Sequence, residues 1–328
     1  MSMEEPVGLF VSSFAGILGI ESAIFELIIV LLGAALLGLS FHKDKHQFSS
    51  YSAACGWFLL GLFFYLQSSH YVEIADPLLI IMTAAALPGG IALGYWEIKV
   101  KGDVPESLHW FRGCVTWSVI PYFLVYSIPF LNIAFVDFTA NSTEWMLEFA
   151  GLGSYEVGVM RVDIVGQPDM AVSEWDGNKW FLTEPLGESG FYVPFNHADG
   201  TPVAVSFILA CSALQSMIIF VGAIGALSSV SLKRRLRGLL IVLPTIHVLN
   251  VFRNAGIVWL ADTYHNWSFL GIDIFDFTHS YAAKFMSLFA MFLLAISLFD
   301  LLPELHRNII RIISPITDGI DKLRNNLS

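Results

Sequence analysis

"KRRLRGLLIVLPTIHVLNVFRNAGIVWLAD", Lys233 to Asp262, decides how this chain is read. Four cations crowd its first five residues, and residues 238–261 then carry one charge, Arg253. A helix of some two dozen residues at about 1.5 Å each rises roughly 36 Å, enough to cross a hydrocarbon core of about 30 Å. The basic run marks the end left in the cytoplasm. The same pattern recurs along the 328 residues, of which 55% are hydrophobic and 14% charged. Soluble domains do not have that balance. The fold class expected is an all-α polytopic membrane protein with about seven transmembrane helices, near 22–41, 50–68, 77–98, 113–135, 203–230, 238–262 and 278–302. The third contains the breaker "LPGG", Leu87 to Gly90, and the fourth contains Pro121 and Pro129.

Charge fixes the orientation. Lys43, Lys45, Lys99, Lys101, Arg112, Lys233, Arg234, Arg235, Arg237, Arg307, Arg311, Lys322 and Arg324 all fall between or beyond spans on one side, which makes that side cytoplasmic. The N-terminus is then outside and the C-terminus inside. The insert 136–202 lies outside and holds only Arg161 and Lys179 as cations against a run of acids. It reads as a small β-rich extracytoplasmic cap, with strands in "YEVGVMRVDIV" and "GFYVPF" and a hairpin turning at Asp176-Gly177-Asn178. Four regions follow: 1–135, with about four spans; the cap, 136–202; 203–302, with three spans; and a cytoplasmic tail, 303–328. Residues 1–20 are mildly amphipathic and suit an interface. Sequons at Asn141 and Asn266 fall outside, and one at Asn326 falls inside.

The three cysteines, Cys55, Cys114 and Cys211, have no metal-ligand spacing and are odd in number for disulfides. No metal, cofactor or nucleic acid is expected.

Only Arg253 and Lys284 are cations away from the loops, and a charge at membrane depth marks a site. His247, Asn250, Arg253 and Asn254 share one helix face. His247 and Asn250 suit interhelical hydrogen bonding. Cys211 sits about 12 Å deep in its span, with Gln215 one turn below. Alone it reads as a packed apolar thiol. A cation at matching depth on the next helix changes that, because charge nearby is what activates a thiol. His279 opens the last span on the same side, and imidazole is the usual base for a thiol. His265, in the outer loop, is a reserve base. A different reading makes Arg253 and Lys284 the anion site of a transporter or channel. A third makes the chain a scaffold, which leaves Arg253 without a purpose.

"ACSALQS" (Ala210 to Ser216), "LNVFRNAG" (Leu249 to Gly256) and "THSYAAK" (Thr278 to Lys284) together resemble the archaeosortase/exosortase family. That resemblance implies a membrane transpeptidase, acting on secreted surface proteins with a C-terminal signal of a short motif, a transmembrane helix and a basic tail. In archaeal members the motif is Pro-Gly-Phe, on S-layer and other surface proteins, and the new C-terminus is joined to a membrane lipid. Carried onto this chain, Cys211 is the nucleophile, Arg253 the stabilising cation and His279 the third member. Asn250, Asn254, Gln215 and His265 are secondary candidates. The acceptor expected is a lipid ethanolamine headgroup, and the site faces the outer leaflet.

Overall fold

The computed structural model describes residues 13, 15–17, 19, 22–73, 77–100, 104–269 and 271–327. The amphipathic reading of 1–20 falls largely outside them, as do loop residues 74–76, Lys101 and Ser328 of the third sequon. The chain is mostly helical, with a five-stranded antiparallel sheet and a separate two-stranded one among the described residues. It groups into two interleaved units: Met1–Ile120 with Val221–Val230 and Glu304–Ser328, and Pro121–Phe220 with Ser231–Pro303.

Among the described residues five helices are long and apolar enough to span a membrane. They are Ile24–His42, Ser49–Val72, Leu78–Val100, Leu232–Thr263 and Ile274–Leu301. Glu106–Ser127 and Pro129–Phe149 make a sixth if that pair, bent by 92°, is one span. The chain is therefore a multi-pass membrane protein with five or six spans by length and composition, against about seven expected. Pro129 explains the bend, since its ring cannot continue the helix that Ile128 ends.

The first unit is built on α1 (Ser22–His42), α2 (Ser49–Leu66), α3 (Ser68–Glu73), α4 (Pro77–Ala84), α5 (Ala86–Val100) and the first part of α6 (Glu106–Ser127). Helices α2 and α5 approach at their backbones. A Cβ on Gly90 would lie 2.4 Å from the Trp57 carbonyl, so only glycine fits there. The "LPGG" stretch, expected as a breaker, is itself helical within α5 and serves packing, and the helix breaks just before it, at Ala85. Arg112 corrects the sequence reading. It is a fully buried cation and not a loop residue, and it forms a two-pronged pair with the equally buried Glu97. Trp57 Nε1 donates to Glu97 at 3.1 Å, and Arg112 also donates to Ser49 Oγ at 3.2 Å. Charges held this way in an apolar bundle are stable only when their hydrogen bonds are filled.

The second unit contains α7 (Pro129–Phe149), the sheet, and two long helices. Strand β4 (Leu186–His197) is central. On one edge it pairs with β5 (Pro202–Ile208), through Tyr192 to Ile208 and Asn196 to Pro202. Its other edge takes β1 (Tyr155–Val157) and β2 (Arg161–Ile164) in succession, through Asn196 to Glu156 and Tyr192 to Arg161. Strand β3 (Met170–Ala171) pairs with β2. The strands expected in "YEVGVMRVDIV" and "GFYVPF" are present. The hairpin at Asp176-Gly177-Asn178 is not, and that stretch is irregular. Residues 136–149, read as part of the cap, are helical and belong to α7.

Residues 203–230 do not form one spanning helix. Val203, Val205 and Phe207 alternate inward as strand β5, which the β-branched, period-two "PVAVSFI" favours. A 3₁₀ turn (Leu209–Ser212) follows, then α8 (Leu214–Gly225). Twelve residues rise only about 18 Å, short of the hydrocarbon core. Helix α9 (Leu232–Thr263) then leads through a two-stranded hairpin, β6 (Ser268–Phe269) with β7 (Ile272–Asp273), into α10 (Ile274–Leu301). The tail 303–328 carries α11 (Pro303–Leu327). The core of the second unit joins Val193, Phe195, Val205 and Phe207 of the sheet to Val136 and Leu147 of α7 and Val251, Ala255 and Val258 of α9. The sheet is thereby seated on the helix that carries Arg253.

Candidate active site

Cys211 stands where strand β5 becomes helix α8. The turn between them is tight. Ser212 Oγ donates to the Leu209 carbonyl at 2.6 Å and accepts from the Leu214 amide at 3.3 Å. Ala213 closes it at φ 57°, the one left-handed non-glycine residue among those described. Such a conformation costs an alanine about 1–2 kcal/mol. A strained strand-to-helix turn is a known way to lift a nucleophile clear of its sheet.

Helix α9 holds this turn. Asn250 and Asn254, one helical turn apart and both buried, donate from their side-chain amides to the Cys211 carbonyl at 2.7 and 3.0 Å. The backbone of Cys211 is thus fixed by two donors from one face. Arg253 lies beside Asn254 and is half-buried. Its Nε is buried with no hydrogen-bond partner among the described residues, so the guanidinium keeps donor capacity in hand.

His279 lies in a π-helical stretch, Phe277–Ala282, at the start of α10. The wider turn re-aims its side chains, and such π turns occur often at functional sites. The imidazole is half-buried and stacks on Phe275, with centroids 5.4 Å apart and planes 3° off parallel. Arg253 lies within electrostatic range of both Cys211 and His279. Among the described residues no hydrogen bond links these three side chains.

The secondary candidates separate. Asn250 and Asn254 join the site through the Cys211 carbonyl. Gln215 is on a different element from Cys211, so the shared helix face expected of them is not formed. It is exposed, and its amide reaches Tyr122 Oη at 3.5 Å. His265 is exposed, and both its ring nitrogens are engaged, by the Asp262 carbonyl at 2.9 Å and the Asn266 amide at 2.8 Å. His247 packs against Phe138.

One cluster had no sequence signal beyond residue type. Asp262 accepts from Tyr155 Oη at 2.8 Å and pairs with His197 at 3.1 Å, which ties β1 and β4 to the end of α9. Burial, and then the Asp262 carboxylate, hold the Tyr155 phenol above the ordinary tyrosine range.

The model of the transmembrane exosortase family matches residues 20–296, most of the chain. This chain belongs to the transmembrane exosortase family. It is also 28% identical over 226 residues to archaeosortase A of Haloferax volcanii, covering 68% of this chain and 67% of that relative. No solved structure matches it. Exosortase membership supports a membrane-embedded sorting transpeptidase whose substrates are secreted proteins with C-terminal sorting signals. Cys211, Arg253 and His279 all lie inside the matched region.

Proposed function

We propose that this exosortase cleaves the C-terminal signal of secreted surface proteins with Cys211 and passes the new C-terminus to a membrane lipid. The observation that carries the reading is the built turn: Cys211 on a strained strand-to-helix junction, clamped by Asn250 and Asn254 on the helix that bears Arg253.

The substrate's transmembrane signal docks beside the helices of the second unit, with its scissile peptide at the level of Cys211. His279 accepts the thiol proton, and the Cys211 sulfur attacks the carbonyl carbon. The carbonyl electrons move onto oxygen, and Arg253 holds the resulting anion. Fixed charge in a water-poor site is worth far more there than in solution. His279 returns its proton to the departing amine, the C–N bond breaks and a thioester remains. A lipid ethanolamine amine then attacks the thioester, the C–S bond breaks and the thiol is regained. Water competes for the same intermediate. The sheet, seated on α9, reads the short motif, of Pro-Gly-Phe type, and keeps water out. The site faces the outer leaflet, as the cation distribution directs.

The transporter reading, with Arg253 and Lys284 as an anion site, gains nothing from the comparisons. An alkylating reagent tests the proposal. It should modify Cys211 ahead of Cys55 and Cys114 and stop signal processing in step with the modification. Full processing by enzyme alkylated at Cys211 would overturn it.

A further inference from the structure

Trp180 and Phe181 are 62% and 70% exposed, on a segment of the second unit that has no part in the chemistry above. Two large aromatic rings left in water forgo their most favourable burial.

The segment that carries them is held firmly. Asn178 Oδ1 accepts from the backbone amides of Trp180 at 2.8 Å and Phe181 at 3.2 Å. The Phe130 amide donates to the Lys179 carbonyl at 2.9 Å, and the Leu182 amide donates to the Ser127 carbonyl at 3.2 Å. The Trp180 ring packs on Phe130, with centroids 5.4 Å apart. Ser127 and Phe130 flank the 92° bend between α6 and α7. Residues 178–182 are therefore fastened to the point where α6 stops.

The end of α6 sets their depth. Leu124 and Tyr126 project outward in its last turn, and Tyr126 stacks on Tyr122. With 22 residues and about 33 Å of rise, α6 is long enough to cross by itself, which sets the outward Leu124 and Tyr126 of its last turn at the edge of the hydrocarbon, about one turn, ~5 Å, before Ser127. The headgroup layer beyond it is about 5–7 Å thick on each side. Trp and Tyr concentrate in that layer, and a nearby cation such as Lys179 suits its phosphates.

We propose that residues 178–182 are an interfacial anchor, with Trp180 and Phe181 inserted into the headgroup region of the bilayer. The contact from Gln215 to Tyr122 puts the first turn of α8 beside the last turns of α6. The Cys211 turn lies just ahead of α8 in the chain. The anchor thus sets the depth at which the sheet and that turn meet the membrane, whatever chemistry follows.

Difference emission tests this in the full chain reconstituted into phosphatidylcholine vesicles. The Trp180 contribution is the spectrum of the wild type minus that of Trp180→Phe, a change that keeps an aromatic ring on Phe130. The anchor predicts loss of most of that emission to lipid brominated near the top of its chains, and little loss to aqueous iodide. Phe181→Trp in the Trp180→Phe background should restore a signal with the same quenching pattern. Emission quenched by iodide and not by brominated lipid overturns the proposal, and so does emission that neither quencher touches.

Discussion

At the scale of single residues, the account turns on how one thiol is presented and charged. Cys211→Ala and Arg253→Ala should each abolish processing while the protein remains in the membrane. Cys211→Ser should lose most activity, because a hydroxyl is the poorer nucleophile at its free pKa. Arg253→Lys should recover little, since a lysine lacks the planar fork. Asn250 and Asn254 act through the Cys211 carbonyl and not on substrate. Each single alanine variant should lower kcat by about one order of magnitude and the pair by about two, with KM nearly unchanged, since misplacing a nucleophile by about 1 Å has that effect. Steady-state kinetics on a signal-bearing substrate reads the split. Cys211, Arg253 and His279 stand out in the sequence as reactive or charged types in apolar surroundings, but the depth reckoned for Cys211 falls away, because residues 202–208 form a strand and not the start of a span. The clamp was not legible. Asn250 and Asn254 shared the expected face, but their target is a backbone atom 39 and 43 residues away, and no side-chain pattern announces a carbonyl.

At the scale of elements, two features depart from what the chain suggested, for physical reasons. Strand β5 hides inside an apolar run that satisfies a hydropathy window, and only its two-residue alternation over seven positions betrays it. Arg112 reads as a loop cation because charge rules count position along the chain, whereas Glu97, 15 residues earlier, supplies the partner that lets it be buried. Breaking that pair is costly. Arg112→Met should destabilise the first unit by about 3–5 kcal/mol, by leaving Glu97 uncompensated, and Glu97→Leu with Arg112→Met should recover most of the loss. Thermal unfolding in detergent measures both. The Tyr155 link between sheet and helix gives a pH signature. Its phenol binds its proton more tightly folded than unfolded, so its stabilising share is whole below about pH 10 and lost as pH climbs beyond. Melting temperature should fall more steeply above that pH in the wild type than in Tyr155→Phe.

At the scale of the whole molecule, the hydrophobic, charge-segregated chain folds as a multi-pass membrane protein with a small sheet, as its composition directed. Among the described residues five or six spans stand against about seven expected, and the difference lies at the break at Pro129 and at the strand entering α8, which hydropathy does not see. Sidedness is the next claim to test. A membrane-impermeant maleimide applied to intact cells should modify Asp199→Cys, in the turn before β5, and should spare Arg307→Cys until the cells are opened. Modification of Arg307→Cys in sealed cells would reverse the orientation. The central claim, that Cys211 carries the sorting reaction, is met most directly by weighing the product. A surface protein with a Pro-Gly-Phe signal is co-expressed with either the wild type or Cys211→Ala, and its C-terminus is read by mass spectrometry. The account predicts a truncated, lipid-bearing C-terminus with the wild type and an intact signal with Cys211→Ala. A truncated, lipid-bearing product from the Cys211→Ala cells would contradict it.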